Sequence, residues 1–175
     1  MEVNLAMDIT AEEFFDSIFA SLEYDIKQAT GKTVRAARIK PGYHYNKKLN
    51  SKMGHGASVT VTVEELDYPR IYKARFDSAT GINYICYEVE ELDNGQIGLS
   101  YSESYEGSKR TYNYNGMFFT WLMTIPNKRH LRQQFRALEK QVLDSRSDKV
   151  SGYADEVEAV HQEEAEQAEA KTSQN

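Results

Sequence analysis

A chain of 175 residues, 40% apolar and 27% charged, has the size and composition of one globular domain with an extension. Three prolines, a single cysteine and no apolar run near the ~18 residues of a membrane helix exclude Pro-rich, disulfide-built and helix-spanning classes. The net charge of −6 belongs to one end: from Asp144 onward nine acids face three bases, while residues 1–143 balance.

Val3, Leu5, Met7 and Ile9 alternate with Glu2, Asn4, Ala6 and Asp8, the period of a half-buried strand. Thr10 and Glu13 then have capping-box spacing, and Ile9 and Phe14 flank that cap as a hydrophobic staple. Phe15, Ile18, Phe19, Leu22 and Ile26 recur at helical spacing, and Gly31 is a natural stop. This spacing predicts a helix over Ala11–Ala29.

The middle of the chain reads as strands. Thr33–Ile39 is predicted as one, ahead of a Pro41-Gly42 turn. Tyr43, Tyr45, Lys47 and Leu49 alternate with His44, Asn46 and Lys48, and Asn50–Gly56 is a polar loop. Val59, Val61 and Val63, interleaved with threonine, form the clearest strand. Strands over Arg70–Phe76, Ile82–Glu90 and Ile97–Tyr105 follow, separated by Ser78–Gly81 and by the hairpin signal Asp93-Asn94-Gly95. Connections this short cannot hold parallel crossovers, so the meander is antiparallel.

Gly107–Gly116 reads as a polar loop. Met117 to Leu143 is helical in type, with an apolar stripe (Leu131, Phe135, Leu138, Val142) and a basic one (Arg129, Arg132, Arg136, Lys140). Pro126 should kink or restart it. Residues 147–175 are rich in Glu, Gln and Ala and poor in large apolar residues, so an acidic, disordered tail is expected outside a domain spanning 1–146.

The order strand, helix, five or six further strands, long C-terminal helix gives an α+β class. It resembles the START-like, pollen-allergen-type helix-grip superfamily, also called SRPBCC. More narrowly it resembles a small bacterial family within it that carries only a domain-of-unknown-function label. The residues that carry the likeness are Ile9-Thr10-Ala11-Glu12-Glu13-Phe14-Phe15, the run Tyr24 to Lys32, and Phe118-Phe119-Thr120-Trp121-Leu122 through Lys128-Arg129. The resemblance implies a curved antiparallel sheet gripping the C-terminal helix, with a small apolar or amphipathic ligand between them. On that fold the expected lining is Phe15, Phe19 and Leu22 from the first helix, and Tyr84, Cys86, Leu99 and Tyr101 from the strands. Phe118, Trp121 and Leu122 complete it from the final helix.

Catalytic chemistry has no clear carrier. His44, His55, His130 and His161 are too scattered for metal-ligand spacing, so no metal and no cofactor is expected. Glu88 and Glu90 share a strand face near Glu103, a pattern that solvent-facing glutamates also give. Cys86 reads as a small core residue and not as a nucleophile. The rival to a ligand carrier is a nucleic-acid or anionic-partner module. Lys32 to Lys52 holds seven bases, no acid, and Tyr43, His44 and Tyr45 among them. The lone cysteine and an opening segment without a basic start or long apolar core suit a cytoplasmic protein.

Overall fold

The computed structural model describes residues 1–49, 57–79, 81–106 and 128–146, with Val160 and Gln162. β1 (Glu2–Met7) leads into α1 (Ala11–Thr30). β2 (His44–Leu49), β3 (Ala57–Asp67), β4 (Ile71–Ser78), β5 (Gly81–Glu91) and β6 (Ile97–Glu106) follow, and then α2 (Lys128–Asp144). The strands make one antiparallel sheet in the order β1-β6-β5-β4-β3-β2. The first strand pairs with the last, so the two strands flanking α1 lie at opposite edges. Both helices pack on one face, α1 against β2 and α2 against β1 and α1. This is the α+β helix-grip arrangement expected from the element order.

Local chemistry sets the helix ends. Thr10 Oγ1 accepts from the Glu13 amide at 3.2 Å, and the Thr10 amide donates to Glu13 Oε2 at 2.9 Å. Together they satisfy two orphan donors of the first turn. Gly31 ends α1 at φ 73°, a left-handed conformation that costs a residue with a Cβ more, and its amide donates to the Lys27 carbonyl. Thr10→Ala is expected to cost about 1 kcal/mol in urea unfolding; an unchanged midpoint would mean the cap adds nothing to the fold.

One predicted strand is absent. Within Thr33–Ile39 the chain forms a single 3-10 turn, Ala36–Arg38, with both alanines buried. The β-branched pair Thr33-Val34 suggested a strand. Two small residues instead let the backbone press under α1, where the Ala36 amide donates to Glu23 Oε1 at 2.5 Å.

The core is the inner face of the sheet plus the apolar stripes of both helices. Val3, Tyr101, Tyr87 and Tyr72 fall in one cross-strand row. Tyr87 lies 5.2 Å from Tyr101 and 6.2 Å from Tyr72, ring centre to ring centre. Phe135 of α2 caps this row, 6.3 Å from Tyr87 and 5.9 Å from Tyr101, and Phe14 of α1 sits 5.9 Å from Tyr87. α2 is pinned by polar bonds as well. Buried Glu139 accepts from the Asp8 amide at 2.5 Å and pairs with Arg136 at 2.7 Å. Arg146 bonds Glu13 at 3.1 Å and the Asp8 carbonyl at 3.0 Å. The predicted kink at Pro126, the loops 50–56 and 107–116 and most of the tail lie outside the described residues. Within the tail, Val160 is helical and buried.

Candidate functional site

Strand periodicity decides which predicted lining residues can meet. Phe15, Phe19 and Leu22 of α1 are buried, as are Leu99 and Tyr101 of β6. Leu99 pairs with Val89, and Tyr101 with Tyr87, so both sit in inner-face rows. Phe118, Trp121 and Leu122 lie outside the described residues. Tyr84 and Cys86 need correction. On β5 it is Ile85, Tyr87 and Val89 that are buried, which turns Tyr84 and Cys86 to the outer face. A one-residue shift in parity moves every side chain to the opposite side of a sheet. The sequence Ile-Asn-Tyr-Ile-Cys-Tyr-Glu-Val is apolar or aromatic on both parities, so alternation alone did not choose.

Tyr84 and Cys86 instead line an open groove of about 460 Å³ on the outer face, with Glu64, Lys73, Ser102 and Ser104. Burial and the neighbouring Glu88 push the Cys86 thiol up from its ordinary value. It is therefore held as the protonated thiol and is not an activated nucleophile. Glu88 and Glu90 are exposed on this same outer face. Glu103 is not with them: it pairs across to Ile85 and faces inward. The three glutamates do not form a catalytic cluster. Among the described residues no group of three or more His, Cys, Asp or Glu could hold a metal ion.

Side chains of both helices reach the middle of the inner face, Phe14 and Phe135 at Tyr87 of β5. The helix backbones come closest at β2 for α1 and at β1 for α2. Between those edges the face carries Val61, Val63 and Ala74, all fully buried and all short. These three residues are fully buried, so the centre of this face is covered. Around them stand Tyr72, Phe76, Ile85 and Tyr87. Phe15 and Phe19 of α1 pack with Tyr68, at 5.9 and 6.0 Å.

Two polar groups interrupt this apolar face. The first is half-buried Glu103, whose Oε1 accepts from Asn83 Nδ2 at 3.1 Å and whose Oε2 accepts from the Tyr101 hydroxyl at 3.4 Å. Burial raises its carboxyl above the ordinary glutamate value, against the Asn83 bond, the amino terminus and the Tyr101 bond, which lower it. An acid with a raised folded value holds its proton more tightly folded than unfolded. Its folding contribution is therefore full at pH below 4.5 and declines as pH rises through the folded value. Glu103→Gln removes that loss. The variant should gain stability relative to the parent at pH 7 and not at pH 4, read as the difference between two melting curves. An equal change at both pH values would show that burial of Glu103 carries no penalty.

The second is the cluster of Asp25, Tyr45 and Lys47, between α1 and β2. Lys47 Nζ lies 3.0 Å from both Asp25 oxygens, and the Tyr45 hydroxyl donates to Oδ2 at 2.5 Å. Burial lowers the Lys47 ammonium, and Asp25 opposes that. Burial, together with the adjacent Asp25, pushes the Tyr45 phenol far up. The three groups form one buried hydrogen-bonded unit, and its phenol stays neutral. The cluster also removes Tyr45 and Lys47 from the surface, and with them part of the basic, aromatic run from Lys32 to Lys52. Arg132, Arg136 and Lys140 remain exposed along α2.

Neither polar group was identified from the sequence as a site, although both left a signal. Glu103 shares parity with Leu99 and Tyr101 on an otherwise apolar face. Asp25 sits beside Leu22 and Ile26 inside the apolar stripe of α1.

Comparison with known proteins agrees with this architecture. A family described as a domain of unknown function, DUF3284, matches residues 1–124. None of the curated proteins is a significant match. Among solved structures, the chain is similar to Ara h 8.0201 at 12% identity and a TM-score of 0.51, covering 82% of this chain and 97% of that one. It is similar to a Chromobacterium violaceum protein at 12% identity and 0.51, covering 81% and 95%. A Rhodobacter sphaeroides protein matches at 10% identity and 0.50, covering 82% and 93%. Likeness at such identities shows a shared helix-grip fold. No described helix is long and apolar enough to cross a membrane.

Proposed function

Since the chain belongs to the DUF3284 family and folds as a helix grip, we propose that it is a cytoplasmic binding protein for a small apolar or amphipathic molecule. The molecule lies on the inner face of the sheet, beneath the C-terminal helix. One observation carries this reading. The two described helices pack on one face of the sheet, α1 mainly at β2 and α2 at β1, and that face is apolar across its width, from Val61 and Val63 through Ala74 and Ile85 to Leu99. Ligand sites are concave and mostly apolar, with a few placed polar groups, and this face has that composition. Phe15, Phe19, Leu22, Leu99 and Tyr101 are the proposed walls, with Phe118, Trp121 and Leu122 closing the site. The domain ends near Arg146, and residues 147–175 form an acidic extension to it.

Burial of apolar ligand surface stabilises by about 25 cal/mol per Å² before ordering costs, so micromolar affinity is within reach of a modest ligand. Native mass spectrometry of protein purified from cells tests the reading. A retained mass of a few hundred daltons, displaced by added long-chain alcohol, is the expected result. Retention of oligonucleotide that falls steeply with salt would favour the nucleic-acid reading instead.

A further inference from the structure

We infer that the acidic extension is a partner for its own domain: it turns back after α2 and lies as a helix along the basic face of α2, where Arg132, Arg136 and Lys140 receive its carboxylates. At 3.6 residues per turn, these three bases and Leu143 fall within roughly 80° of arc on α2, clear of the buried stripe of Leu131, Phe135 and Val142. All three bases are exposed, and Leu143 is 37% exposed among them. Arg136 pairs with Glu139, whereas Arg132 and Lys140 have no acidic partner among the described residues. An exposed leucine bordered by cations suits an apolar residue bordered by anions.

The extension offers that counterpart. Residues 147–175 hold eight acids against Lys149 and Lys171. Tyr153, Val157 and Val160 stand four and three apart, one face of a helix, and Glu156, Glu163 and Glu164 fall beside them at that spacing. Val160 and Gln162 are both helical. Val160 is 2% exposed, while Gln162, about 200° further round the helix, is exposed. A valine in so polar a stretch is buried only against another surface, and a helix buried on one side alone lies on that surface. Length and charge favour α2 as the place. The extension begins where α2 ends, and a turn at Ser151-Gly152 would send it back antiparallel. Residues 153–170 would then run about 27 Å, against about 25 Å for the 17 residues of α2. The other basic run has given Lys47 to Asp25, and its strand β2 lies at the far edge of the sheet from β1 and α2. Single exposed ion pairs contribute little, but here several act together on a segment tethered beside them.

Paramagnetic relaxation NMR of the full chain tests this, with a nitroxide attached through Gln167→Cys in a Cys86→Ser background. The amide signals of Arg132, Arg136 and Lys140 should lose most of their intensity, while those of Lys48 and Thr60 keep theirs. The loss should ease as salt is raised, because exposed pairs are screened. Arg132→Glu with Lys140→Glu should restore the other α2 signals. So should Glu156→Gln with Glu163→Gln and Glu164→Gln, which leaves α2 untouched. Full intensity along α2 in the parent, losses centred on Lys32 to Lys48, or losses on α2 that persist in both variants would overturn the inference. So would losses on an isotope-labelled chain caused by the nitroxide of a separate chain, since the occupant would then be a second copy.

Discussion

Asp25→Ala is expected to destabilise the protein by about 3–5 kcal/mol, because it removes the counter-charge from an ammonium that cannot reach water. The Lys47 side chain is 6% exposed and lies 3.0 Å from the carboxylate. Desolvation already lowers its proton affinity, and Asp25 is what holds the proton on. Without Asp25 the folded value falls further. A lysine with a depressed folded value binds fewer protons folded than unfolded, so stability rises with pH in that window. The variant should therefore recover part of its loss as pH climbs toward the ordinary lysine value of 10.5. Replacing the whole cluster with apolar residues of similar shape, as in Asp25→Leu with Lys47→Met and Tyr45→Phe, should come within about 1–2 kcal/mol of the parent or exceed it. Urea unfolding across pH distinguishes the cases. A small, pH-independent loss in Asp25→Ala would mean that Lys47 finds water or another acceptor.

Phe135→Ala should have a comparable effect, about 3–5 kcal/mol, for a different reason. Its ring is the joint between α2 and the tyrosine row of the sheet, and it is 1% exposed. Removing it opens a cavity beneath the helix and loses two aromatic contacts. At about 2–4 °C per kcal/mol for a chain of this size, the melting temperature should fall by roughly 10 °C. The polar bonds of Glu139 and Arg146 to the start of α1 would remain, so α2 should stay attached but less firmly held. A fall of only a degree or two would mean that those polar bonds, and not Phe135, hold the helix down.

The fold was legible because several levels of pattern agreed. The capping box at Thr10, the apolar stripe of α1, the valine-threonine strand and the Asp93-Asn94-Gly95 hairpin each specify one local structure. Short connections then force antiparallel pairing. The first miss, Thr33–Ile39, came where β-branched residues stood next to two alanines, and packing under α1 outweighed propensity. The site was less legible, because its placement depends on parity. β5 has large residues on both faces, so Tyr84 and Cys86 could be assigned to the interior from the sequence although Ile85 and Tyr87 occupy it. Lys32 to Lys52 read as a surface charge run, yet Lys47 turns inward to a partner 22 positions earlier on another element. Pairing at that separation leaves no local periodicity. Glu103 was noticed with Glu88 and Glu90, but the strand that carries it faces them with opposite parity.

The central claim is that the ligand lies on the inner face of the sheet. Two-dimensional NMR of the labelled protein, titrated with dodecanol below its solubility limit, tests it most directly. The account predicts that the perturbed signals cluster at Ala74, Ile85, Tyr87, Leu99 and Tyr101, while Tyr84, Cys86 and Glu88 change little. Perturbations confined to the outer-face groove around Cys86 and Lys73, or spread evenly over the basic face of α2, would contradict it.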